Sequence, residues 1–367
     1  MRIMRKGICV LAVLLAFTVL ATSAFAAMPT FDSVPDGVLT AEDLAQICNE
    51  ILGAEEEALP NAGQQLSGAD GLTYIAEAFH VEPAEETDSA EPIDYADVMK
   101  EAGYVDESFN TSAAFTKDDA LNIIGTMIED VTDKSASGVE TDKSYVIRSK
   151  DVELADAKIG GDLIIGQGVG DGEVTLDNVS VEGNLVVLGG GSNSVVVRGN
   201  STVGKVIVSK TEGEPVRVKV EGEAVVGTVA IDDNSKAIVN GAITNLVAGD
   251  DASVELQNAR VVNVEINGKN AALNVDAGST VTSATINASG VQLTGTGTVG
   301  KADVTENAKS GVVVDTSGTQ VTVAPEAGNV TNSGGTVVAP SGGTGTTQGT
   351  PTGTGSGTVT GGSGRNG

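Results

Sequence analysis

The sequence predicts a mainly β protein: a right-handed parallel β-helix of about nine coils, preceded by a small all-α domain. Three observations predict it. A short apolar signature recurs from Ile159 to Val323, first as Leu163-Ile164-Ile165, then Leu185-Val186-Val187 and Val206-Ile207-Val208, and last as Val321-Thr322-Val323. Its first residues are spaced 22, 21, 23, 17, 18, 20, 18 and 19 apart. A period near 20, with β-branched runs separated by Gly, Asn and Asp, marks stacked strands. Ahead of it, residues 28–134 place apolar side chains at helical spacing behind good N-cap residues.

The chain reads in five parts. Residues 1–26 have the layout of a secretory signal peptide: Arg2, Arg5 and Lys6, an apolar run from Ile8 to Leu20, and the cleavage box Ala24-Phe25-Ala26. The apolar run is short for a bilayer span, and no second one follows. The expectation is a secreted protein, associated with the cell surface or wall, without a membrane span after cleavage. Residues 27–134 form the acidic helical domain, 135–144 a linker, 145–340 the β-helix, and 341–367 a tail of Gly, Ser and Thr that cannot bury a core. The tail carries no L-P-x-T-G sorting signal.

The formal net charge is −29. Phosphate backbones need Lys/Arg patches, so nucleic acid is excluded as a partner. The charge is concentrated at the front: residues 28–133 hold 25 Asp+Glu against two Lys and no Arg, a net of −23. Cys9 lies in the leader, leaving Cys48 as the only thiol of the mature chain, so no internal disulfide is expected. Cys48 sits on the apolar stripe of a helix and reads as a small buried hydrophobe. His80, the only histidine, follows Phe79 at a helix end and reads as structural.

In the front domain, Thr40 caps a helix bearing Leu44, Ile47 and Ile51, with Asp43 in the capping-box position. A second helix is expected from Ala69 to Phe79 and a third from Tyr95 to Ala102, ended by Gly103. Thr116 caps a fourth, with Asp119 three residues on. The tetrapeptides Thr40-Ala41-Glu42-Asp43 and Thr116-Lys117-Asp118-Asp119, with Ser67-Gly68-Ala69-Asp70 as a third, resemble the repeat motif of S-layer homology domains of bacterial surface proteins. The resemblance covers about a quarter of the chain. It implies docking to a cell-wall polysaccharide or another envelope glycan, with Thr40, Thr116 and Lys117 as polymer-contacting residues. No Arg occupies the three motifs, so Lys117 alone would supply positive charge. A generic acidic helical domain with strong caps accounts for the same residues.

Each repeat of the second region pairs its apolar run with an upstream alternating strand, such as Val174-Thr175-Leu176 or Val254-Glu255-Leu256. Alternation puts the apolar side chains on one face; stacking the coils lines those faces into one interior. Asn178, Asn200, Asn240 and Asn258 fall at corners, where Asn tolerates left-handed backbone and can bond its counterpart one coil away. The region resembles the β-helical repeats of exported bacterial proteins.

Catalytic residues are not assigned. The repetitive region has no His, and nothing in phase with Asp232-Asp233 matches the basic partners a polysaccharide-cleaving β-helix uses. Asp232-Asp233 and Asp250-Asp251 lie 18 apart and are expected to stack at one corner. Stacked carboxylates repel unless a cation joins them, so Ca2+ is the one cofactor suggested, held by Asp232, Asp233, Asp250 and Asp251; two solvated turns relieved by Lys236 or Lys269 are the alternative. The expected function is a non-catalytic structural or adhesive protein of the envelope. A polysaccharide-degrading lyase or glycoside hydrolase is one rival. A self-associating filament subunit is the other, suggested by the lack of a polar cap after Val323.

Overall fold

A computed structural model describes residues 28–55, 59, 61–83 and 92–332, together with the strand backbones at Thr336–Val338 and Gly357–Val359. The signal-peptide reading falls outside the described residues, and so does most of the tail. The chain folds as four short helices followed by a parallel β-solenoid of about 11 turns.

Every coil has three faces. On face A, strands such as Val174–Asp177 and Ser253–Leu256 alternate inward and outward. Face B is short, with Ile159, Val181, Val203 and Val226 pointing in. Face C carries the apolar triplets, whose outer residues point in and whose middle residue points out. Along face C the middle residues stack in register: Val131, Val146, Ile164, Val186, Ile207, Ala230, Val247, Glu265, Thr285, Asp303, Thr322 and Val338. Eleven steps at the strand spacing of about 4.8 Å give a rod roughly 53 Å long. The interior is almost wholly Val, Ile, Leu and Ala.

The coil count exceeds the expected nine, and the start of the solenoid was disguised. In the first two rungs the inward positions ahead of Val131 and Val146 hold Asp130 and Tyr145, both buried, instead of aliphatic residues. The expected linker over 135–144 is also corrected. It contains two strands of the first coil, Ala136–Ser137 and Glu140–Thr141, paired with Leu154–Ala155 and Lys158–Ile159. The fourth helix runs without a break into the first strand, Ile128–Thr132.

The helices are α1 (Ala41–Leu52), α2 (Gly68–Ala78), α3 (Tyr95–Glu101) and α4 (Lys117–Met127). Thr40, Ser67 and Thr116 cap α1, α2 and α4 through complete capping boxes with Asp43, Asp70 and Asp119. Each reciprocal box satisfies two of the amides that a helix start leaves open. The residues just before the caps close a ring. Leu39 N–H donates to Phe115 O (2.8 Å), Phe115 N–H to Leu66 O (2.9 Å) and Leu66 N–H to Leu39 O (3.0 Å). Three capped helices thus radiate from a cyclic, pseudo-threefold set of hydrogen bonds. Gly71 lets Phe115 lie against α2, since a Cβ there would run into the Phe115 ring.

The helical unit has no separate floor. Its core of Leu44, Ile47, Ile51, Ile124 and Met127 is completed by Val131, Val146, Ile164, Val186 and Ile207, the first five outward residues of face C. Their apolar character is what the helices cover. From Glu265 onward the same ladder position turns polar in every rung through Thr322.

Candidate functional site

The residues expected to contact a wall polymer are engaged within the chain. The Thr40 and Thr116 hydroxyls each donate to their capping Asp at 2.6 Å. Lys117 Nζ donates to Val34 O at 2.7 Å and to Asp36 Oδ1 at 3.2 Å, and its side chain is only 13% exposed. Lys117 ties the start of α4 to the loop ahead of α1. Thr40 and Thr116 do share one neighbourhood, around the cyclic ring, and Ser67, the third tetrapeptide, is as regular as the other two.

The four aspartates lie at one corner of neighbouring coils, with a register of 17 rather than 18. Asp233 Oδ1 accepts the Asp250 N–H, and Asp250 Oδ1 accepts the Lys269 N–H, both at 2.7 Å. Asp251, with a left-handed φ of 54°, accepts Asn270 Nδ2 at 3.2 Å. Each of these three carboxylates accepts from a donor one coil on, and these hydrogen bonds offset the repulsion. Among the described residues no group of three or more His, Cys, Asp and Glu could hold a metal. The stacked aspartates do not fit a Ca2+ cage, which needs six or more converging oxygens.

Asp232 points elsewhere, into the seam between the helical unit and face C. After α2, Phe79 is anchored in the core and His80 takes a left-handed φ of 56°, turning the chain onto the solenoid. His80 Nε2 lies 3.4 Å from Asp232 Oδ2. Two residues on, Glu82 receives Lys205 Nζ on both carboxylate oxygens at 2.8 Å. Asn184 Nδ2 reaches Glu82 Oε2 at 3.4 Å. Burial pushes the Asp232 carboxyl above the usual carboxylate range, against the opposing pull of His80 and a Ser209 hydrogen bond. Asp162, deeper in the same seam, is raised for the same first reason, although its Oδ1 accepts the Asn184 N–H at 2.7 Å.

Beside this clasp opens a cleft of about 450 Å3. Ala230 and Val247 form its floor, half-buried, and Glu82, Lys205, Asp232 and Asn267 are among its walls. A second, smaller depression of about 360 Å3 lies where the end of α1 meets the solenoid. Arg148 lies along it, bound to both Asp133 oxygens at 2.9 Å and to Glu50 at 3.4 Å. That arrangement locks the two parts together.

Sequence reasoning found Asp232 but not its partners. His80 and Glu82 lie on one short segment far in the chain from Asp162, Lys205 and Asp232, and the set follows no motif; only the isolated histidine was a signal. Cys48 is buried and unpaired, and burial pushes its thiol up to about 12, which makes it inert at neutral pH. No helix among the described residues is long and apolar enough to cross a membrane. No family model, curated protein or solved structure matches the chain, so the reading of this seam rests on its own geometry.

Proposed function

We infer that the chain is an exported, non-catalytic structural or adhesive protein of a bacterial envelope. In this reading the helical unit docks to a wall polysaccharide or other envelope glycan, and the solenoid holds a rigid face away from it. The observation that carries the reading is the shared core. Five outward residues of face C, from Val131 to Ile207, complete the helical unit, and α4 enters the solenoid without a linker. A docking unit built this way transmits orientation to the rod, which suits presentation better than closure over a substrate. The ring of three capped helices adds support to the S-layer homology resemblance. The test is co-sedimentation of the mature chain with purified bacterial cell walls. The reading expects the protein in the pellet at physiological salt; protein that stays in the supernatant counts against docking.

One observation favours a second reading. Asp232 is a carboxyl raised by burial at the edge of a cleft, with Glu82 nearby, as a glycan-cleaving enzyme would place a general acid. Activity on a polysaccharide panel that disappears in Asp232→Asn supports it, and no turnover on any polymer removes it.

A further inference from the structure

The face C ladder is apolar for two rungs beyond the last rung that joins the helical core. Ile207 belongs to that core, but Ala230 and Val247, the next two outward residues, do not. They are half-buried and form the cleft floor, and the following rung carries the exposed Glu265. The walls are polar and predominantly anionic. Asp232, Asp233 and Glu82 contribute three carboxylates against Lys205, whose ammonium is already engaged by Glu82. Asn267 adds an amide, whose oxygen accepts Asn287 Nδ2 at 2.7 Å and leaves its own NH2 to donate.

We propose that this cleft is a binding site for an amine-bearing sugar residue of a glycan. A pyranose ring has an apolar C–H face that suits a small aliphatic floor. Its hydroxyls match carboxylate acceptors and an amide donor. Its ammonium matches the excess negative charge, which equally repels uronic and other acidic sugars. The volume lies within the roughly 300–1,000 Å3 range of small-ligand sites. A cation at the rim would also offset the burial that holds the Asp232 carboxyl high. The site is distinct from the capping residues of the helical ring, so it stands whether or not that ring docks to a wall polymer.

The test is calorimetric titration of the mature chain with a glucosamine tetrasaccharide and with its fully N-acetylated counterpart. Binding of the free-amine oligomer, at least about tenfold tighter than the acetylated one, is expected. Val247→Lys places a cation on the floor at a ladder position where the next rung already carries a charged residue, so the fold should keep its melting temperature. That variant should abolish binding, and Asp232→Asn should weaken it about tenfold. Equal affinity for both oligomers overturns the proposal. So does binding that Val247→Lys leaves intact, because the oligomer then adheres to the acidic surface at large. Absence of binding by either oligomer also overturns it.

Discussion

Val186→Glu separates the helical unit from the solenoid without harming the coil that bears it. Val186 is fully buried, yet it points outward from face C into the core of the helices. Four rungs further on, the same ladder position is the exposed Glu265, so a glutamate is compatible with the solenoid itself. The valine's burial contributes about 1.5–3 kcal/mol to docking. An ionised carboxylate left unpaired in that seam costs several kcal/mol more. The docked state therefore loses at least about 3 kcal/mol, a shift of more than 100-fold. Hydrogen-exchange mass spectrometry reads this directly. Peptides covering Ala41–Leu52 and Lys117–Met127 should lose protection, while those covering Ser253–Val304 keep it. Full protection in both sets would refute the shared core. Ile207→Ala offers a graded version, with a cost within about 2–5 kcal/mol.

Other consequences follow from single features. Gly71→Ala drives a methyl group into the Phe115 ring and should destabilise the helical unit by about 1–3 kcal/mol, read as a lower urea midpoint. Acidification should act in two stages. Asp162 and Asp232 have raised carboxyls, so the folded state binds their protons first, and stability rises as pH falls from neutrality toward about 4. Asp133, held low chiefly by its Arg148 hydrogen bond, contributes stability above the unfolded carboxylate value of 3.8 that is lost below it. Urea midpoints between pH 7 and pH 3 should therefore pass through a maximum, and a steady decline from pH 7 contradicts the seam electrostatics. Finally, Gly357–Val359 pairs antiparallel with Val330–Asn332 on the last rung of face A. Removing residues 339–367 uncovers that edge and should produce concentration-dependent association in light scattering; a truncated chain that stays monomeric argues against edge capping.

The solenoid was legible because its signal is redundant. Nine triplets, a nearly constant period and corner asparagines all point the same way, and the Asn178–Asn200 ladder forms as expected, with Asn178 Oδ1 accepting Asn200 Nδ2 at 3.2 Å. The cap residues were legible for a local reason, since a capping box is a four-residue affair. The first coil was not, because Asp130 and Tyr145 occupy inward positions that elsewhere hold aliphatics. A polar stretch at 135–144 then looks like a junction. The seam was illegible for a deeper reason. Val146, Ile164, Val186 and Ile207 read as ordinary members of apolar triplets, and nothing local says that their outward faces are covered. The signal was present only in comparison along the ladder, where the middle residue changes from Val and Ile to Glu, Thr and Asp. Lys205 and Glu82, 123 residues apart, leave no sequence trace of their pairing.

Zero-length carbodiimide cross-linking tests the placement of the helical unit on the solenoid most directly, because it joins only carboxylates and amines already in contact. Lys205 Nζ lies 2.8 Å from both Glu82 oxygens, and Lys158 Nζ lies 3.0 Å from Glu182 within the solenoid as an internal control. The account predicts that mass spectrometry recovers a peptide joining Glu82 to Lys205 alongside the one joining Lys158 to Glu182. Recovery of the control alone would contradict the shared seam and the cleft beside it.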